Sequence, residues 1–568
     1  MNALLAAALL AAAPAAPNDD DPLLAALVDS IDTHVKQLPQ SADAPMYYLQ
    51  YRVADGQLFS ISASLGALAE SDGRGDRFTG KGRTLDVSVR VGSKALDNTH
   101  QLRGKGRYDF EGQGSSGQLP IEDDPRALRI ALWRATDRAW KAANKQLIKV
   151  RTEKTLKTSE EDQSDDFSVD PANTYVGPRA SLELDRDAWT ERVKRLSAKF
   201  RGATEILDSS VTLVAASMTT YVVDSEGTRL RQPRIFLRLF MSGSVRAEDG
   251  MDLDLYDSVE VTAPDQFPDE AALEKRVQTL IDTLLKMKKA PPADPYSGPA
   301  IITSKAAAVF FHEIFGHRIE GHRQKDADEG QTFTKKLNQR VLPEFLSVED
   351  DPGREKWDAT PLNGFYKYDE EGQKGQKAVL VEKGILKGFL MGRSPVKGFA
   401  HSNGHGRAQP GLPTVSRQGN LLVTSTTSVP FEQLKQQLIA QVKARKKPYG
   451  LIFHEVSGGF TNTRTGGLPQ AFKVLPLVVT RLYPDGREEL VRGVDIVGTP
   501  LASFERIAAT GSDVAVFNGF CGAESGWVPV SAVAPSMLVS DIEVERRSKR
   551  HERGPLLPSP FAVDGGAP

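Results

Sequence analysis

The period of the apolar positions changes several times along the first half of the chain. After Asp21-Pro22, a favourable N-cap and first turn, Leu24, Leu27, Val28 and Ile31 recur at helical spacing and predict a helix. Residues 46–55 are rich in Tyr and Val, and 85–91 alternate apolar with polar, so both stretches predict strands. A long helix is predicted from Asp124-Pro125, with Leu128, Leu132, Ala135 and Ala139 along one face. Residues 153–166 are polar and acidic and predict a solvated loop. A further helix is expected over 188–200. Between 211 and 261, short apolar and aromatic runs are broken at Asp224-Ser225-Glu226-Gly227 and Ala247-Glu248-Asp249-Gly250, which predicts strands joined by turns. Leu273, Val277, Leu280, Ile281 and Leu284 then mark one face of a last helix.

Pro291-Pro292-Ala293-Asp294-Pro295 is the clearest linker in the chain. It divides an expected N-terminal α/β domain, 22–290, from an expected C-terminal domain, 296–550, with 551–568 as a flexible tail. Beyond it, 300–302 reads as a strand, and Ser304 is expected to cap the helix that follows. The rest is mostly β-like. Hairpins are expected over 377–389, around Lys383-Gly384, and over 476–490, around Pro484-Asp485-Gly486, with one helix over 431–443. The expected class is α+β in two domains. No internal repeat, coiled coil or phosphate-cradling glycine loop is evident.

Composition adds limits. A chain of 568 residues is too long for one ordinary core. With 72 basic and 74 acidic residues there is no single-sign field to argue for nucleic acid. Residues 1–16 carry no charged side chain, and Ala13-Pro14-Ala15 offers a small-x-small cleavage site. The pattern reads as a signal peptide without the usual basic start, which predicts a periplasmic or secreted protein; the alternative is a cytoplasmic one. The run is too short to span a bilayer comfortably, and no other segment reads as a membrane span.

The chemistry concentrates in Phe310-Phe311-His312-Glu313-Ile314-Phe315-Gly316-His317-Arg318-Ile319-Glu320-Gly321-His322, which holds three of the nine histidines. Imidazoles with a carboxylate beside them on an apolar helix have the composition of a metal site; the alternative is a buried helix with structural histidines. In H-E-x-x-H the two histidines are about 40° apart around a helix, but His312 and His317 are one residue further apart, roughly 140° on an ideal helix. The helix must therefore loosen or end inside the motif, and Gly316 is the place for a π-type bulge or a helix end. The stretch is either a broken H-E-x-x-H or a motif of its own.

This stretch resembles the TldD/PmbA (TldD/TldE) family of zinc metallopeptidases, whose motif is H-E-x-x-x-H followed by x-x-E-G. The resemblance extends to Cys521-Gly522-Ala523-Glu524-Ser525-Gly526-Trp527-Val528-Pro529-Val530, which fits a C-G-x-x-x-x-x-V-P-V context for a cysteine ligand. Cys521 is the sole cysteine, and it lies 204 residues after His317. TldE-type partners lack the metal motif, so this chain resembles the catalytic type. The resemblance covers nearly all of the second half. It implies an α/β N-terminal domain, a C-terminal domain on a large, partly barrel-like antiparallel sheet, and a dimer, either of like chains or with a TldE-like subunit.

The expected site is a zinc ion (Zn2+) held by His312, His317 and Cys521, leaving a fourth position for water as catalytic sites do. Glu313 is the expected general base. Glu320 is either a partner orienting His317 or a surface salt bridge, and His322 is a low-ranking replacement ligand. The expected function is zinc-dependent hydrolysis of peptide bonds in extended or unfolded peptides. The alternatives are a zinc amidase on a non-peptide substrate and a non-catalytic TldE-like subunit. His401-Ser402-Asn403-Gly404-His405-Gly406-Arg407 loosely resembles a family loop; it is read either as a contact for a peptide backbone or carboxylate or as a plain polar loop. His454-Glu455 reads as part of a strand, and Ser457-Gly458-Gly459-Phe460 resembles a family segment near the substrate channel.

Overall fold

The computed structural model describes residues 21–38, 44–71, 80–101, 114–156, 162–326, 329, 332–461, 463 and 472–547. The expected signal peptide, 1–16, and tail, 551–568, lie outside them. Two sheets organise the chain. The first has eight strands. Its antiparallel centre runs Gly80–Val91, Met46–Ser64, Ile206–Asp224, Arg229–Arg246, and Asp252–Val261 pairs with the last of these.

Side chains alternate along these strands, so the sheet has two faces. Tyr51, Val53, Leu213, Ala215, Leu237 and Leu239 are buried beneath helices. Pro22–Gln37 and Pro125–Leu156 cover one end; Arg186–Ala198 and Glu270–Lys289 cover the other. The intervening residues reach the C-terminal half instead. Arg52 donates to the Leu412 carbonyl at 2.8 Å, Gln232 to the Tyr368 carbonyl at 2.8 Å, and Arg234 to Asn363 Oδ1 at 2.7 Å. This polar face ties one sheet to the other.

The second sheet has eleven strands, and five of them close into a barrel. Gly526–Arg546, Val494–Gly498, Phe472–Leu482, Gly450–Thr461 and Tyr296–Ile302 follow one another, and the last pairs back onto the first. Within the barrel, among the described residues, Gly450–Thr461 against Tyr296–Ile302 is parallel and the other four pairings are antiparallel. The fold is therefore α+β, with a mainly antiparallel, partly barrel-like sheet in the C-terminal half.

Three local expectations change. The acidic stretch is only partly a loop: the helix continues to Leu156 because Leu147 and Val150 extend its buried face. Asp166 is buried against His100 Nδ1, at 2.7 Å. Ser304 does not cap the next helix. Thr303 holds the N-cap position, and its hydroxyl donates to the His454 carbonyl at 2.9 Å, a tertiary partner in place of a local one. The proline-rich linker is pinned to the barrel. Ala293 N–H donates to the Arg492 carbonyl at 2.8 Å, and Arg492 Nε donates to the Ala290 carbonyl at 2.8 Å. Among the described residues, no helix is long and apolar enough to cross a membrane.

Candidate metal centre

Tyr296–Ile302 leads from the barrel wall straight into helix Ser304–Ile314. Residues Ala306 to His312 and Ile314 of this helix are buried. A helix that is apolar all round must be enclosed, and here Phe310 and Phe311 pack on Phe472 and Phe504. The α-helix ends at Phe315, and Gly316–Arg318 forms a tighter 3-10 turn. That change of pitch resolves the spacing problem: His317 swings back beside His312, with ring centroids 5.3 Å apart.

The turn needs glycine because of Gln418. A Cβ on Gly316 would lie 1.9 Å from Gln418 Oε1. The same amide donates from Nε2 to the His312 carbonyl at 3.3 Å, so it clasps the helix end. A Gly316→Ala chain should therefore bind zinc at least ~10-fold more weakly, on the scale seen when the partners that orient ligands are displaced. Adding Gln418→Ala should restore part of the loss. Competition with a chromophoric chelator checks both, and unchanged affinity in the single variant would show that the clasp does not position the histidines.

Cys521 arrives from the C-terminal hairpin, Ile507–Ala523 paired with Gly526–Arg546. Its Sγ lies 3.2 Å from His317 Nε2. One donor atom from each of His312, His317 and Cys521 falls within 4.8 Å of the others, and all three residues are buried. Tetrahedral zinc, with bonds of about 2.0–2.1 Å to nitrogen and 2.3 Å to sulfur, spaces its ligands roughly 3.5 Å apart. Among the described residues, His312 Nδ1 is buried with no hydrogen-bond partner. The donor types, their spacing and that orphaned nitrogen fit zinc.

The electrostatics agree. Burial alone would push the Cys521 thiol up, but His317, His312 and Arg417 outweigh it and hold the thiol well below its ordinary value. His317 is raised to about 10: burial opposes this, and the Cys521 thiolate and Glu320 drive it. Such a group favours a thiolate beside positive charge, which is what a divalent cation provides.

Glu320 is fully buried, so the surface salt bridge is ruled out. Its Oε1 is 3.2 Å from His317 Nδ1 and its Oε2 accepts from Arg323 Nε at 2.8 Å. Burial would raise its carboxyl; Arg323 and His317 pull it down to about 2. An ionised carboxylate at that nitrogen orients the ring for a ligand on the other side. His322 turns to Glu524, with Nε2 at 2.5 Å from Oε1. Glu320, His322 and Glu524 also cluster, but Arg323 bonds both carboxylates and His322 bonds Glu524, so these groups already engage one another.

Glu313 is half-buried beside the histidines. Burial raises its carboxyl, opposed by His312 and His317, with the Gly459 backbone N–H also favouring the ionised form. A Cβ on Gly459 would lie 3.0 Å from Glu313 Cγ, so the glycine lets segment 457–460 pass close to this carboxylate. The other expected places lie elsewhere. His454 Nε2 bonds Thr480 Oγ1 at 2.9 Å. In the 401–407 loop, His401 reaches Asp170 at 3.1 Å and buried His405 reaches Asp350 at 3.2 Å, both as structural partners.

Sequence reasoning missed Arg417 and Gln418. Arg417 donates from Nη2 to the Cys521 carbonyl at 2.8 Å and places Nε 3.4 Å from Glu320 Oε1, so it joins both ligand segments. The signal was an Arg-Gln-Gly-Asn run before a strand, which by itself says nothing of a partner about a hundred residues away.

Fold and site together define a two-sheet α+β protein with a buried His-His-Cys group and a neighbouring carboxylate. Residues 295–546 match the PmbA/TldA metallopeptidase C-terminal domain. A metalloprotease of Archaeoglobus fulgidus is 29% identical over 270 residues, covering 47% of this chain and 57% of the relative. A zinc metalloprotease TldD homolog of Saccharolobus solfataricus is 26% identical over 249 residues, 43% of this chain and 51% of the relative. The chain thus spans little more than half the length of these curated relatives. The crystal structure of TldE from Thermococcus kodakarensis shares the fold, with a TM-score of 0.59, 12% identity, and coverage of 92% of this chain and 100% of that one.

Proposed function

We propose that this protein is a zinc-dependent peptidase that hydrolyses peptide bonds in extended or unfolded peptides, with His312, His317 and Cys521 as metal ligands and Glu313 as general base. The observation that carries the reading is the convergence of three zinc-type donor atoms within 4.8 Å beside a carboxylate that holds no ligand position. Zinc bound there supplies Lewis acidity and brings the pKa of water toward neutrality. Glu313 takes the proton from the attacking water and returns it to the leaving amine. Glu320 and Arg417 hold the ligand segments in place, and the phenylalanines around helix Ser304–Ile314 keep its base dry.

Substrate binding by main-chain pairing is supported by strand Gly450–Thr461. Phe472–Leu482 pairs along nearly its whole length on one side, whereas Tyr296–Ile302 pairs on the other only through Leu451 to Phe453. Beyond Phe453 that edge runs past Glu313, where an extended peptide can add as a strand. The proposal includes a dimer, with a second copy or a TldE-like chain.

Elemental mass spectrometry of the purified protein should find about one zinc per chain, absent from a His317→Ala variant. An unfolded peptide should be cleaved by the first and not by the second. Metal-free protein prepared without chelators would overturn the reading in favour of the non-catalytic subunit, and zinc without peptide cleavage would favour the amidase.

A further inference from the structure

The hairpin that carries Cys521 has a second face. Cys521, Val528 and Val530 point to the metal side and pack together. Asn518, Phe520, Trp527 and Pro529 alternate to the opposite side, where they wall a cavity of about 580 Å³ between the two sheets. Its floor is the polar face of the N-terminal sheet, with Ala216, Arg234 and Phe236. Phe520 and Trp527 are 40% and 63% exposed, so large aromatic surface is left uncovered there. The size is that of a ligand pocket, and such pockets favour domain interfaces.

Arg52, Arg234 and Arg407 line this cavity, with the Glu370 carboxylate among them. Arg52 is neutralised by Asp86 at 2.6 Å. Among the described residues, the acceptors bonded to Arg234 are neutral: Nη2 donates to the Asn363 carbonyl and Oδ1 at 2.5 and 2.7 Å, and Nη1 to the Phe365 carbonyl at 3.3 Å. Arg407 donates to the carbonyls of Gln418 and Pro529, at 2.8 and 2.6 Å. Glu370 Oε2 lies 4.0 Å from its Nε, and among the described residues neither of those two atoms makes a hydrogen bond. Burial, and then Arg407, push the Arg234 guanidinium down to about 10, with Glu370 opposing them.

We infer that this cavity is a second binding site, on the far side of the hairpin from the metal, for the C-terminal end of an apolar peptide. The Arg234 and Arg407 guanidiniums take its carboxylate, and Phe236, Phe520 and Trp527 take the side chain beside it. A terminal residue carries both features at once, whereas an acidic side chain brings the charge without the apolar neighbour. Guanidinium forks suit carboxylates.

The test uses the full chain carrying Glu313→Gln, so that the probe stays intact. Binding of acetylated Ala-Leu-Phe as free acid and as C-terminal amide is measured by titration calorimetry. The acid should bind at least ~10-fold more tightly, as charge-assisted hydrogen bonds require. Arg234→Gln should abolish the difference, and Ala216→Phe, which fills the cavity from its floor and leaves both arginines, should weaken the acid at least ~10-fold. Removing zinc with EDTA should leave acid binding unchanged. Equal affinity for acid and amide, discrimination that survives Arg234→Gln, or binding lost with the zinc would each overturn the inference; the last would place the peptide at the metal centre.

Discussion

Replacing Glu313 with Gln should leave about one zinc per chain and reduce peptide hydrolysis at least ~100-fold, the usual scale for losing a general base. The substitution is nearly isosteric. The amide oxygen of Gln can still accept from Gly459, and helix Ser304–Ile314 buries no more than before. What disappears is the ability to take a proton. Burial raises the Glu313 carboxyl above its ordinary value, which makes it a stronger base than an exposed glutamate. Partial exposure leaves it reachable by water, unlike Glu320, which is sealed between Arg323, Arg417 and His317. Single-turnover cleavage of an unfolded peptide, beside metal analysis, checks the prediction. Near-normal cleavage with zinc in place would remove Glu313 from the reaction. Loss of zinc with loss of activity would make it a ligand.

The local grammar of the chain was legible. Lys383 and Gly384 have φ of 47° and 78°, as a two-residue hairpin turn requires, and the breaks at 224–227 and 247–250 fall between real strands. Period-2 and period-3.6 patterns located most helices and strands because each is set by its own neighbours. Barrel closure was not legible that way. It depends on Ala300 and Ile301 lying beside Leu451 and Ile452 in parallel, and beside Val539 and Leu538 in antiparallel fashion. Nothing in a three-residue apolar run states its two distant partners. Ser304 shows the same limit in miniature: a good cap by local rule, it lost the position to Thr303, whose hydroxyl had His454 to bond.

The site divides in the same way. His312, Glu313 and His317 are a contiguous motif, and its odd spacing correctly required the helix to loosen or end near Gly316. Why a glycine stands there is a tertiary matter, since Gln418 occupies the space of a side chain. Glu320 was undecided from sequence because burial separates an orienting carboxylate from a surface one, and burial comes from Arg323 and Arg417 arriving from two directions. The 401–407 loop was undecided for a similar reason. Its histidines turned out to be structural, while Arg407 belongs to the cavity wall.

Cys521→Ser should weaken zinc binding by more than ~100-fold, beyond the 10–100-fold typical of losing a partner that only orients a ligand. The thiolate is the soft donor of the three, and a serine hydroxyl stays protonated at neutral pH, so neither charge nor softness is kept. The surroundings are built for the anion: His317, His312 and Arg417 hold the thiol well below its ordinary value against the effect of burial. With serine, those positive groups face each other without their counter-charge, and the cation is repelled as well as under-coordinated. Because the chain has one cysteine, the same experiment has an internal control. Zinc should protect the wild-type chain from alkylation by iodoacetamide, and chelation should restore labelling of the single thiol. Unchanged zinc affinity in Cys521→Ser, or labelling indifferent to zinc, would mean that another donor completes the set. Glu320 lies 3.2 Å from His317 Nδ1, and recruiting it would require giving up its bond to Arg323. In that case the His317 ring would lose the partner that orients it, and Glu320→Gln would remove the metal.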